Sequence, residues 1–209
     1  MDIRSAERFN GELAGRPELV HGTSQTLYPG MKRMSENSVL NIKNKSFTVT
    51  AKVTLPTGHA SGVVIAQGGA YGGWSLYLTD GAPAFAYNLG GIATEYTRAG
   101  QPLGAGEHEL TLAFDYDGGG LGKGGSVSIS ENQKNLATGR VSRTLPFFFS
   151  MDETLDIGSD LASPVSADYG PSGNEFPGTI DWVRIDLGND DHSHLADPEH
   201  LMHIAMTRQ

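Results

Sequence analysis

WSLYLTDGAPAFAYN, running from Trp74 to Asn88, places Trp74, Leu76 and Leu78 on one parity, and Phe85 and Tyr87 share one parity across an Asp80-Gly81 pair. A period of two on both sides of an Asp-Gly step is the pattern of a two-residue β-hairpin. Working outward, FTVTAKV from Phe47 sets Phe47, Val49, Ala51 and Val53 on one face and threonines with Lys52 on the other. GVVIAQ follows from Gly62. HELTLAFDY alternates Leu110, Leu112 and Phe114 inward, SVSIS continues it, and LDIG and GTIDWVRIDL complete the series. In the last segment either Ile180 and Trp182 or the opposite-parity pair Val183 and Ile185 could line the interior.

Strand follows turn signal with no helical interval, which predicts an all-β chain of two antiparallel sheets packed face to face, a sandwich of the jelly-roll, concanavalin A or laminin G kind. The 28 glycines, 10 prolines and 38% hydrophobic residues fit many short strands, and 209 residues fit one core. Residues 1–32 read as an irregular approach segment, 33–188 as the sandwich and 189–209 as a polar tail rich in histidine. There, Asp197-Pro198-Glu199 could start one short helix.

A net charge of −9 argues against nucleic acid and anionic membrane surfaces as partners. MDIRSAERFN has no apolar stretch of the signal-peptide kind, so a soluble protein is expected, cytoplasmic by default, with a periplasmic location open to a parent protein. The absence of cysteine removes thiol nucleophiles, thiolate metal sites and disulfides.

Several motifs invite chemistry and depart from its requirements. GGGLGKGG suggests a phosphate loop, but Asp117 stands five before Gly122, Gly124 follows Lys123, and a strand comes next; a flexible inter-strand loop is the plainer expectation. Asp152 and Asp156 share a parity that Glu153 does not, so no carboxylate pair of the glycosidase kind is formed along a strand. No serine sits in a G-x-S-x-G elbow. The acidic positions Asp152, Asp156, Asp160 and Asp168 are the candidate ligands for calcium, a hard cation that takes several oxygens at a loop rim, although Asp156 could instead hold nearby backbone amides. His192, His194, His200 and His203 have spacing able to take a transition metal in passing. Trp74, Tyr71 and Tyr77 could stack on sugar rings; Trp74 is in phase with the core, which leaves Tyr71, in its Gly68–Gly73 corner, as the exposed candidate for ligand binding.

LYPGM at 27–31, GVVIAQGGAYGGWSLYLTDG at 62–81, FDYDGGGLGKGG at 114–125, TLPFFFSMDETLDIGSD at 144–160, PVSADY at 164–169 and FPGTIDWVRIDL at 176–187 together resemble the carboxy-terminal domain of large bacterial arylsulfatases. The resemblance implies a β-sandwich that accompanies an α/β sulfatase domain, whose metal and C-x-P-S-R cysteine, converted to formylglycine, hydrolyse sulfuric esters. This chain has neither that cysteine nor a serine in its place. The expectation is therefore an accessory domain, not an enzyme on its own and without a cofactor unless calcium binds. Its partner would be a sulfatase catalytic domain, in cis or as a separate chain, and no oligomeric state is indicated. RSAERFNGELAGRP resembles the junction after a catalytic domain, as a split gene, an internal start or an excised segment would leave it. The alternative expectation is an independent lectin-like module. Where the family tends to turn through D-G-K, this chain has Glu131-Asn132-Gln133-Lys134.

Overall fold

The computed structural model describes residues 19–150 and 153–189. Eleven strands are formed there: β1 (Ser24–Leu27), β2 (Phe47–Leu55), β3 (Gly62–Gly69), β4 (Gly72–Thr79), β5 (Ala82–Leu89), β6 (Ala93–Arg98), β7 (Gly106–Tyr116), β8 (Gly125–Glu131), β9 (Lys134–Val141), β10 (Leu155–Ile157) and β11 (Thr179–Leu187). One 3-10 turn, Glu36–Ser38, accompanies them. The strands make a six-stranded sheet in the order β1-β11-β2-β7-β8-β9 and a five-stranded sheet in the order β10-β3-β4-β5-β6. Every strand pair within the sheets is antiparallel. The expected two-sheet antiparallel sandwich is thus the observed architecture.

The central hairpin has the register its alternation requires: Thr79 pairs with Ala82, Leu76 with Phe85 and Trp74 with Tyr87. Asp80 and Gly81 both take positive φ, 47° and 78°, the two-residue turn whose twist suits flanking strands. Asn132 and Gln133, at 46° and 69°, make the same kind of turn without a glycine. The Asn132 backbone N–H donates to the Glu109 carbonyl, and its side-chain oxygen accepts the Glu109 N–H, which offsets the left-handed strain.

Between the sheets, Val49, Ala51, Val53, Leu110, Leu112, Val183 and Ile185 meet Ile65, Trp74, Leu76 and Phe85, all buried. In β11 the two alternatives resolve through a register shift between Ile180 and Trp182. This bulge turns Ile180, Val183 and Ile185 all inward and leaves Trp182 half-buried on the outer face.

Two expectations are corrected. Ser24–Leu27, inside the stretch read as irregular, pairs with β11, and Leu27 is part of the core. A four-residue strand at a sheet edge carries too little periodicity to be read locally. The loop of Gly118–Gly124 is tied down rather than flexible. The Tyr116 hydroxyl donates to the Gly120 carbonyl and accepts the Lys123 N–H, the Asn44 side-chain oxygen accepts the Gly122 N–H, and Thr144 Oγ1 donates to the Lys123 carbonyl.

Residues 158–175 cross the outer face of the five-stranded sheet. Val165 and Tyr169 pack there on Val63, Ala66, Tyr77, Ala84 and Ala86, with the Tyr77 and Tyr169 rings edge to face at 5.1 Å. This second small core buries β3, β4 and β5 on both faces, which is why β3 is buried along its whole length and does not alternate. No helix among the described residues is long and apolar enough to cross a membrane.

Candidate functional site

At one end of the five-stranded sheet the β3–β4 and β5–β6 hairpin tips meet. The first is closed by glycine: a Cβ on Gly68, at φ 87°, would lie 2.1 Å from the Gly72 carbonyl oxygen, so the two backbones approach this closely only without side chains. Its turn residues, Ala70 and Tyr71, project beyond the sheet. The second tip turns through Gly90 and Gly91, with the Ile92 N–H donating to the Leu89 carbonyl. Gly91 lies against Tyr71, since a Cβ there would be 3.6 Å from Tyr71 Cδ1.

One buried side chain holds both tips. Asn88 Nδ2 reaches the carbonyls of Gly69, Ala70 and Val165, and Asn88 Oδ1 accepts the Gly91 N–H at 2.8 Å. The Ala70 N–H donates to Ser163 Oγ, which in turn donates to Glu153 Oε1. These bonds tie backbone groups of both tips to one another and to the 158–175 segment, and the tips are preorganised. On this rigid base Tyr71 is 79% exposed and Ile92 88% exposed. An aromatic and an aliphatic side chain left to water on two tips that meet make a surface suited to a partner's apolar group or to a sugar face.

Tyr71 therefore lies where the glycine corner suggested. Trp74 is fully buried and donates from Nε1 to Gln67 Oε1, and Tyr77 is buried with its hydroxyl donating to Asp168. Neither ring is available to stack on a sugar. Ile92 and Asn88 were not singled out from the sequence. The Gly90-Gly91 step after an alternating strand signals the turn, but nothing local says that Asn88 reaches across to a second hairpin.

The acidic candidates separate. Asp156 is 2% exposed and spends both oxygens on backbone: Oδ1 on the Arg33 N–H at 2.7 Å, Oδ2 on the Leu161 N–H at 3.2 Å. Asp168 forms a two-pronged pair with Arg98 at 2.9 Å on each prong. Asp160 is 1% exposed; its Oδ2 accepts the Val165 N–H and the Tyr169 hydroxyl, while Oδ1 has no partner. Burial, above all, pushes the Asp160 carboxyl up to about 6, with the Asp156 and Glu153 charges adding to it. Asp152 lies outside the described residues, as do the tail histidines and the Asp197-Pro198-Glu199 segment. Among the described residues no three carboxylate or histidine side chains converge as an ion site. Among the described acidic candidates, Asp160 alone has a buried carboxylate oxygen, Oδ1, without a hydrogen-bond partner.

No family model and no curated protein matches the chain. Among solved structures it is similar to domains LG4-5 of the mouse laminin alpha1 chain at 12% identity and TM-score 0.45, over 80% of this chain and 40% of that one. It is similar to the botulinum neurotoxin serotype C1 binding domain at 12% and 0.42, over 68% of this chain and 32% of that one. The native heptameric SAP-like pentraxin from Limulus polyphemus is similar at 14% and 0.38, over 83% of this chain and 79% of that one. The chain thus spans less than half the length of the laminin and neurotoxin structures.

Proposed function

We propose that this chain is a non-catalytic accessory module that packs on a sulfatase catalytic domain, in cis or as a separate polypeptide, through the end carrying Tyr71 and Ile92. The partner's identity rests on the sequence resemblance to arylsulfatase carboxy-terminal domains. The observation that carries the surface is the Asn88 clamp, which fixes two tips while leaving Tyr71 and Ile92 in water. Side chains on a fixed backbone lose little entropy when covered, and aromatic anchors dominate most interfaces.

The test mixes the full chain with a sulfatase catalytic domain expressed without its own terminal sandwich and measures affinity calorimetrically. Tyr71→Ser with Ile92→Ser is expected to weaken binding about tenfold or more, as loss of a central anchor does. Unfolding free energy should stay within about 0.5 kcal/mol, because both positions are exposed surface. Undiminished binding by the double variant, or turnover of an aryl sulfate by the purified chain alone, contradicts the proposal.

The exposed Tyr71 ring favours a second reading, an independent lectin-like module that stacks this ring on a sugar. Screening the chain on a glycan array with and without calcium separates the two. Glycan binding lost in Tyr71→Ser supports the lectin reading, and calcium dependence would bring Asp160 Oδ1 into it.

A further inference from the structure

A cleft of about 400 Å³ opens between the β7–β8 loop and the chain leaving β9, lined by Asp117, Leu121, Gly122, Lys123, Gly124, Ser142 and Arg143. Its charge is not what the overall acidity of the chain would suggest. Asp117, the one carboxylate of the lining, is engaged by Arg140 through both guanidinium nitrogens, Nη1 at 3.1 Å and Nη2 closer, so that pair is neutral. Lys123 and Arg143 have no carboxylate within ion-pair distance among the described residues, whereas Lys43, Lys52, Arg98, Arg140 and Arg184 each do. Two uncompensated cations thus line one concavity in a chain of net charge −9.

The loop that presents Lys123 is also fixed. Asn44, Tyr116 and Thr144 hold Gly120, Gly122 and Lys123 by backbone hydrogen bonds, so the Gly122 and Lys123 amides are spent internally. This excludes the amide cradle of a phosphate loop at those two residues. What the cleft offers is side-chain charge, the Lys123 ammonium and the Arg143 guanidinium, with Ser142 also in the lining. The Ser142 N–H is held by Glu95 at 2.7 Å, which anchors the opposite wall.

We infer that this cleft is a binding site for a tetrahedral oxyanion, a sulfate or phosphate group free or esterified, held by Lys123 and Arg143. Guanidinium and ammonium donors match such oxygens in charge and geometry. The site uses neither Tyr71 nor Ile92, so it stands or falls independently of the docking surface.

The experiment titrates the full chain with sodium sulfate, sodium phosphate, 4-nitrophenyl sulfate and uncharged 4-nitrophenyl methyl ether at constant ionic strength, following backbone amide resonances of residues 121–124 and 142–143. The three anions should shift these resonances saturably and the ether should not. Lys123→Gln and Arg143→Gln should each weaken binding about fivefold, and the two together should remove it. Asp117→Asn, which frees Arg140, should tighten it. Tighter binding of the aryl sulfate than of inorganic sulfate identifies an esterified ligand, and equal binding a free anion. Shifts that persist in the double variant, that sodium chloride reproduces, or that no anion produces overturn the inference.

Discussion

Trp74→Ala should lower the unfolding free energy by about 3–5 kcal/mol, the range for removing a buried aromatic and leaving a cavity. Trp74 is wholly buried between the sheets, its ring 6.0 Å from that of Phe47, and Nε1 donates to Gln67 at 3.0 Å. Truncation removes the packing and strands a buried amide oxygen, whose lost partner adds to the cavity term. Domains of this size have about 5–15 kcal/mol in total, so the variant should approach marginal stability. Urea unfolding followed by circular dichroism measures it. Trp74→Phe, which keeps most of the volume, should lose much less.

Asp160 should give the chain a pH dependence of stability opposite to that of a salt-bridged carboxylate. Its carboxyl is raised from 3.8 to about 6 in the folded state, chiefly by burial. The folded protein therefore binds this proton more tightly than the unfolded chain. Its contribution is fully present below pH 4 and is lost as pH rises through about 6, with a total of about 3 kcal/mol from the size of the shift. Asp160→Asn keeps an acceptor for the Val165 N–H and the Tyr169 hydroxyl and cannot ionise. The variant should gain stability relative to the wild type at pH 8, and that advantage should shrink as the pH falls from about 6 to about 4. Parallel stability curves for the two proteins between pH 4 and 8 would show that Asp160 does not titrate in this window.

The alternation of Phe47–Val53 and Leu110–Phe114 is legible because each strand faces one core and repeats every two residues, and Trp74–Asn88 is legible through its Asp80-Gly81 turn and the large inward side chains Trp74, Leu76, Phe85 and Tyr87. Signals fail where placement depends on distant chain. Residues 158–175 show no periodicity, yet they bury the second face of β3, β4 and β5 through Val165 and Tyr169. The bulge at Asp181 exchanges parity within β11, so no single face could be assigned. Half-buried and exposed residues alternate only weakly in Ala93–Arg98, an edge strand with polar side chains on both faces. The candidate site divides in the same way. Tyr71 is readable because glycines flank it on both sides, whereas Ile92 acquires its setting from Asn88, whose partners Gly69 and Ala70 lie on another hairpin. Asp156, Asp160 and Asp168 look alike in sequence; what separates them is whether each meets backbone amides, a tyrosine or Arg98.

Hydrogen exchange of the full chain, measured alone and with a sulfatase catalytic domain lacking its terminal sandwich, tests the docking surface most directly. The expected result is slowed exchange at 69–73 and 89–93, with the outer face of the six-stranded sheet unchanged. Protection confined to that outer face, or no protection anywhere in the chain, would contradict the assignment of the Tyr71–Ile92 end as the working surface.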